Sequence, residues 1–139
     1  MQVVVDAAAR DLCLLASDAA KLAYAKYSNF RVGAALQTAD NVYSAANIEN
    51  ASYGLSLCAE RAAIVKAISA GDRSLLRIAV ACIDAGLDDG INAAMPCGAC
   101  RQWFVEFSPQ MEVLIWSRSG EFRSFTAEEL LSVPFRLKP

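Results

Sequence analysis

The chain has 139 residues, 55% of them apolar, and a mean hydropathy of +0.30, which excludes disorder and predicts one domain spanning 1–139 with a substantial core. A formal net charge of −2 and a sequence pI near 5.1 leave nothing to attract a phosphate backbone, so a small neutral ligand fits better than nucleic acid. Histidine is absent, which removes Ser-His-Asp and Cys-His chemistry and leaves proton transfer to a carboxylate, a thiol, a lysine or a metal-bound water.

No apolar run approaches the roughly 20 residues needed to span a bilayer, so no membrane partner is expected. Asp6, Arg10 and Asp11 interrupt the region where a signal peptide would need an apolar core. The five cysteines are odd in number and spaced as metal ligands rather than as a disulfide framework. Together these features predict a cytoplasmic protein.

In chain order, residues 4–25 carry Leu12, Leu15, Ala19 and Leu22 at spacings of three and four, which predicts an amphipathic helix. Cys13 lies beside that stripe and reads as a small packed residue. Residues 31–38 and 41–47 read as strands paired antiparallel around Ala39-Asp40-Asn41. The polar stretch 48–56, with Gly54, marks a loop. A helix is expected from about Leu57, with Ile64, Ala67 and Ile68 spaced for burial and Gly71 as its stop. Residues 78–83 form a continuous apolar run, as in a strand covered on both faces, with Cys82 as core.

Residues 84–94 form a loop, and a further helix runs to about Phe107 before Ser108-Pro109 stops it. Strands at 111–116 and 121–125 are joined by a connection too short for anything but antiparallel pairing. Thr126-Ala127-Glu128-Glu129 has the pattern of a capping box for a short last helix. The order α-β-β-α-β-α-β-β-α, with crossover helices after the second and third strands, predicts a three-layer α/β/α fold on a mixed five-stranded sheet.

Chemistry concentrates at Met95-Pro96-Cys97-Gly98-Ala99-Cys100-Arg101-Gln102. Cys97 and Cys100 face one side of a helical first turn and can chelate a soft metal ion, most often zinc, although redox motifs share the spacing. Cys58-Ala59-Glu60-Arg61 opens another helix. If the two helices lie side by side, three thiols converge at two positive helix ends, which favour thiolate. The fourth zinc position is then another protein group or water, and with Cys13 and Cys82 assigned to packing an open, catalytic position is expected. Glu60 is placed to carry protons, unless it only complements the helix dipole; Arg61 can donate to thiolate sulfur, unless it is a solvated helix residue.

The chain resembles the small, homotetrameric cytidine deaminases. The resemblance rests on Tyr27-Ser28-Asn29-Phe30-Arg31-Val32-Gly33-Ala34-Ala35-Leu36, on Asn47-Ile48-Glu49-Asn50-Ala51-Ser52-Tyr53-Gly54-Leu55, on Cys58-Ala59-Glu60-Arg61 and on Pro96-Cys97-Gly98-Ala99-Cys100-Arg101-Gln102, in that order. It implies one Zn²⁺ per chain on Cys58, Cys97 and Cys100, with Glu60 as proton shuttle while water attacks C4 of the base. It further implies that Phe30 stacks on the pyrimidine, that Asn47 and Glu49 hydrogen-bond the ribose, and that Ala59, Tyr53 and Phe135 line the nucleoside site. Phe135 would enter a neighbour's site in a homotetramer whose sites lie at subunit borders; the alternative is that it packs on its own chain.

Other readings give different expectations. A relative acting on a modified cytosine nucleoside such as blasticidin S would not need Asn47-x-Glu49, which points to a ribose-bearing substrate. A zinc-stabilised assembly module would need no catalytic carboxylate. The loop 84–94 is longer than is usual in the resembled family, and Ala25-Lys26, Trp103 and Leu130-Leu131-Ser132 also depart from its pattern.

Overall fold

The central strands are buried on both faces, and the alternation of their side chains determines the layering. The computed structural model describes residues 6–118 and 121–138. Its sheet has the order β2-β1-β3-β4-β5, where β1 is Val32–Thr38, β2 Val42–Ala46, β3 Leu75–Cys82, β4 Glu112–Ser117 and β5 Phe122–Thr126. Leu36, Ile78, Val80, Val113 and Ile115 face one side, and Ala35, Ala79, Ala81 and Leu114 the other, because successive strand side chains point to opposite faces. Helices α2 (Ala59–Ser69) and α3 (Gly98–Phe107) cover the first face, and α1 (Ala7–Ala20) covers the second. Pairing is antiparallel except between β3 and β4, which α3 links as a crossover. This is the mixed, three-layer arrangement that the sequence predicts. Residues 119 and 120 of the β4–β5 connection lie outside the described residues.

Helix boundaries follow local chemistry. Asp6 caps α1 by accepting from the Ala9 N–H at 2.6 Å. Gly71, with φ +83°, ends α2: its N–H donates to Ile68 O at 3.0 Å and that of Asp72 to Ala67 O at 2.9 Å, a Schellman closure. The last helix, α4 (Ala127–Leu130), carries the anticipated capping box between Thr126 and Glu129.

The first helix is shorter than its hydrophobic period predicts, and of the expected stripe it buries Leu12 and Ala19 but not Leu15 or Leu22. Tyr24 leaves the helical path to bridge with Ile48, its N–H donating to Asn47 O at 3.0 Å and its carbonyl accepting from Glu49 N at 2.8 Å. Leu15 and Leu22 are exposed, and the buried face is Ala9, Leu12, Cys13, Ala16, Ala19 and Ala20. Those small residues let the helix backbone descend onto the sheet at Gly33. A Cβ built there would lie 1.8 Å from Ala16 O and 2.6 Å from Ala20 N, so only glycine fits.

One end of the sheet gathers the residues of interest. Val32 pairs with Cys82 and Gly33 with Ala46, so the start of β1 meets the ends of β2 and β3. A two-way bridge between Ile48 and Leu57, at 2.9 Å each way, brings the start of α2 to the same place. The loop after β3 returns α3 beside it.

Gly33→Ala is expected to force α1 away from the sheet. Overpacking of this kind costs about 1–3 kcal/mol, and more where the obstacle is backbone. A thermal melt of the variant should show a clear loss of stability; an unchanged midpoint would mean that α1 does not pack as described.

Candidate metal centre and active site

Two helices begin at cysteines, and in neither does the cysteine cap its helix. Cys58 precedes α2 and Cys97 precedes α3, both with extended backbone (ψ 152° and 167°) and no side-chain bond to the helix N–H groups. Their sulfurs turn instead toward Cys100, buried in the first turn of α3. The three Sγ atoms all lie within 4.8 Å of one another, with Cys97 and Cys100 3.5 Å apart. Zn–S bonds of about 2.3 Å in a tetrahedron put sulfurs roughly 3.8 Å apart, so the donor set fits one zinc ion. Among the described residues no other group of this kind occurs. Cys13 and Cys82 stand apart as packed thiols, pushed up to about 11 and about 12 by burial.

The electrostatics favour a cation. The Cys58 thiol is held down at about 5, first by the hydrogen bond from Cys100 and then by Arg61, whose Nη2 lies 3.2 Å from Cys58 Sγ. Cys100 is pushed the other way by that same bond and by burial, so without a metal the pair shares a proton. A divalent cation removes that conflict, because it stabilises all three thiolates together. Arg61 Nε is buried without a hydrogen-bond partner, which leaves the guanidinium as charge compensation for sulfur.

Glu60 is 4% exposed, and burial raises its carboxyl to about 7. A carboxyl poised there can both take and give a proton near neutral pH. Ala59, beside it, is fully buried and lies in the core cluster with Cys100. Phe30 packs half-buried against that cluster.

Phe30 stands in a stretch, 27–32, whose backbone is held by side chains. Glu49 Oε1 accepts from the Tyr27 and Ser28 N–H groups at 3.0 and 3.1 Å, while its Oε2 accepts from Ser28 Oγ. The Phe30 N–H donates to Ser28 Oγ at 3.0 Å. Asn47 closes the other side, its Nδ2 donating to Phe30 O and its Oδ1 accepting from Val32 N, both at 2.9 Å. Asn47 and Glu49 thus lie beside Phe30, with part of their hydrogen-bonding capacity spent on the chain itself. Tyr53 is 78% exposed; it packs edge-on against Tyr27, with ring centroids 6.4 Å apart, and shares a small cleft with Glu49.

Phe135 is 70% exposed, and its carbonyl accepts from Gln102 Nε2 at 2.9 Å. Sequence reasoning missed the holding roles of Ser28 and Arg101. Arg101 bridges Pro96 O at 2.9 Å and Leu130 O at 3.1 Å, tying the metal loop to the C-terminal tail. A serine two residues before Phe30 is a recognisable turn signal, whereas nothing local pairs Arg101 with residue 130.

A family model of the cytidine and deoxycytidylate deaminase zinc-binding region matches residues 7–116. A cytidine deaminase of Halalkalibacterium halodurans is 45% identical over 115 residues, covering 81% of this chain and 83% of that protein. A blasticidin-S deaminase of Bacillus cereus is 32% identical over 107 residues, covering 75% and 76%. The crystal structure of a cytidine deaminase from Burkholderia pseudomallei superposes with a TM-score of 0.82 at 43% identity, covering 91% of this chain and 98% of that one.

Removing the guanidinium by Arg61→Ala should let the Cys58 thiol rise, so that protons compete better with metal. Loss of a group that supports a metal ligand typically costs about 10- to 100-fold in affinity. Chelator competition at neutral pH should show weaker zinc retention, with the gap narrowing as pH rises and thiolate forms unaided. Equal retention at every pH would exclude the role.

Proposed function

This chain belongs to the cytidine and deoxycytidylate deaminase family, and from that membership we propose that it hydrolyses cytidine and 2'-deoxycytidine to uridine and 2'-deoxyuridine, releasing ammonia. The observation that carries the reading is the convergence of three cysteine sulfurs at two helix starts with the buried Glu60 beside them.

Cys58, Cys97 and Cys100 would hold one zinc ion, which when bound supplies the Lewis acidity that makes water nucleophilic near neutral pH. Glu60 takes a proton from the attacking water and delivers it to N3 of the base; it then takes the second proton from the new hydroxyl at C4 and passes it to the amine, so that the C4–N bond breaks, the C4 carbonyl forms and ammonia leaves. Phe30 stacks on the pyrimidine. A carboxylate has about four acceptor positions and an amide two donors and two acceptors. Glu49 uses three of its own and Asn47 two, so each retains capacity for a ribose hydroxyl. Ala59 leaves space for the base, and Tyr53 flanks the sugar from the cleft it shares with Glu49. The blasticidin-S relative is more distant, and the Asn47-x-Glu49 pair favours a ribose-bearing substrate.

The chain acts as a homotetramer with sites at subunit borders, in cytoplasmic pyrimidine salvage. Exposed Leu22, Ile48 and Val65 line an apolar groove along the edge strand β2, and such a patch supports burial against another copy. Phe135 then covers a neighbour's site and keeps water out.

Three results would test these statements. A panel of nucleosides assayed for ammonia and for loss of ultraviolet absorbance should show cytidine and 2'-deoxycytidine as the best substrates; a preference for blasticidin S would replace the reading. Glu60→Gln should keep one zinc per chain and the fold while losing about 10²- to 10⁴-fold or more in turnover; near-normal turnover would eliminate the shuttle role. A chain ending at Leu131 should fold, hold zinc and lose substrate affinity, and mixing it with Glu60→Gln chains under subunit exchange should restore part of the activity. A fully active monomer in sedimentation would rule out the shared site.

A further inference from the structure

Arg31, next to Phe30, is gripped by the strand that leads to the metal loop. Its N–H and its Nε both donate to Asp84 Oδ2 at 2.8 Å, and its Nη2 donates to Asp84 Oδ1 at 2.8 Å. Its carbonyl accepts from the Ile83 N–H at 3.3 Å. Asp84 lies two residues past the end of β3, at the head of the loop that delivers Cys97 and Cys100. We infer that Asp84 is a positioning residue for deamination, fixing Phe30 relative to the metal centre through Arg31. The inference rests on the deaminase reading above.

Three observations carry it. First, Asp84 completes a set: with it, every backbone N–H from 27 to 32 has an acceptor, Asn29 N donating to Ala25 O at 2.8 Å. The other side-chain holders, Ser28, Asn47 and Glu49, belong to the same hairpin and its flanks; Asp84 alone reaches it from the β3–α3 loop. Second, the pair is open to water, with side chains 44% and 23% exposed, so it adds little to global stability. What a two-pronged guanidinium–carboxylate contact adds here is direction. Third, Asn29 holds φ +56°, an unusual conformation for a residue with a side chain, which persists where its surroundings constrain it. The segment is therefore held in place rather than self-supporting, and a ring displaced by about 1 Å can cost up to about 100-fold in reaction.

The test uses zinc-loaded protein carrying Asp84→Ala, the near-isosteric Asp84→Asn, and Arg31→Gln. Activity of the parent on cytidine is measured first: its absence would overturn the deaminase reading and this inference with it. With an active parent, both Asp84 variants should raise KM for cytidine and the Kd for uridine by roughly 10- to 100-fold. Zinc should stay at one per chain and the melting midpoint should barely move. Arg31→Gln, which leaves the backbone bond to Asp84 in place, should have a smaller effect, and adding it to Asp84→Ala should change little. Unchanged KM and uridine affinity in Asp84→Asn would overturn the inference while leaving the deaminase reading intact. So would an affinity loss that comes with lost zinc or a large drop in melting midpoint, since Asp84 would then act on the fold or the metal. Should the alanine variant fail to fold, the asparagine variant decides.

Discussion

Three sulfurs confined within 4.8 Å cannot all be anionic without a positive partner, and the end of the sheet that holds them is arranged around that constraint. Two helix starts, one guanidinium and a metal ion are the available sources of positive charge. The first two are built in: Cys58 and Cys97 sit at the N-cap positions, and Arg61 reaches Cys58 at 3.2 Å. They lower the Cys58 thiol, while the Cys100 thiol hydrogen-bonded to it is raised, so the chain prepares the site and a metal ion would complete it. Glu60 inherits its properties from the same arrangement. Two residues past Cys58 on a helix start, it is carried into the interior, where burial raises its carboxyl to about 7.

The substrate side depends on a different mechanism. Phe30 comes from a non-repetitive segment that α1 and β1 cannot hold by their own backbone bonds, so side chains take over: Ser28 within the segment, Asn47 and Glu49 after β2, and Asp84 after β3. Asn47 and Glu49 each spend part of their hydrogen-bonding capacity on the chain and keep part of it. On the proposed reading the same groups orient the stacking ring and bind the sugar, so that a change at either residue would move the base as well as the ribose contact.

Much of this was legible in the sequence, for identifiable reasons. Apolar runs and stops at Gly71 and Ser108-Pro109 are local signals, and they located the five strands and the helices α2, α3 and α4 to within a few residues, while the short 3-10 turns at Tyr53–Leu55 and Ile91–Ala94 read as loop. The three cysteines and Glu60 were legible because their spacing from helix starts carries the chemistry. The true face of α1 was not. Leu15 and Leu22 are more hydrophobic than Ala16 and Ala20, yet the alanines are buried, because Gly33 demands close approach and only small residues permit it. The early end of that helix was hidden as well, since it is set by Tyr24 pairing with a residue 24 positions away. Asp84 read as one of three aspartates in a loop, and its partner Arg31 lies 53 residues upstream.

The departures from ordinary folding rules collect at this one end of the molecule. Two helices give up side-chain caps normally worth about 0.5–2 kcal/mol each. A carboxyl is buried, a guanidinium nitrogen has no partner, and an asparagine adopts φ +56°. Elsewhere the chain obeys the rules closely, with the Asp6 cap, the Schellman closure at Gly71 and the capping box at Thr126. Natural chains tolerate local violations where function requires them and compensate with consistent structure around them. Here the compensation comes from the opposite face of the sheet, where α1 packs on Ala35, Ala79, Ala81 and Leu114, a layer that takes no part in the site's local violations. Metal binding is then coupled to local rather than global order, and losing zinc should loosen the starts of α2 and α3 while the opposite face of the sheet stays packed.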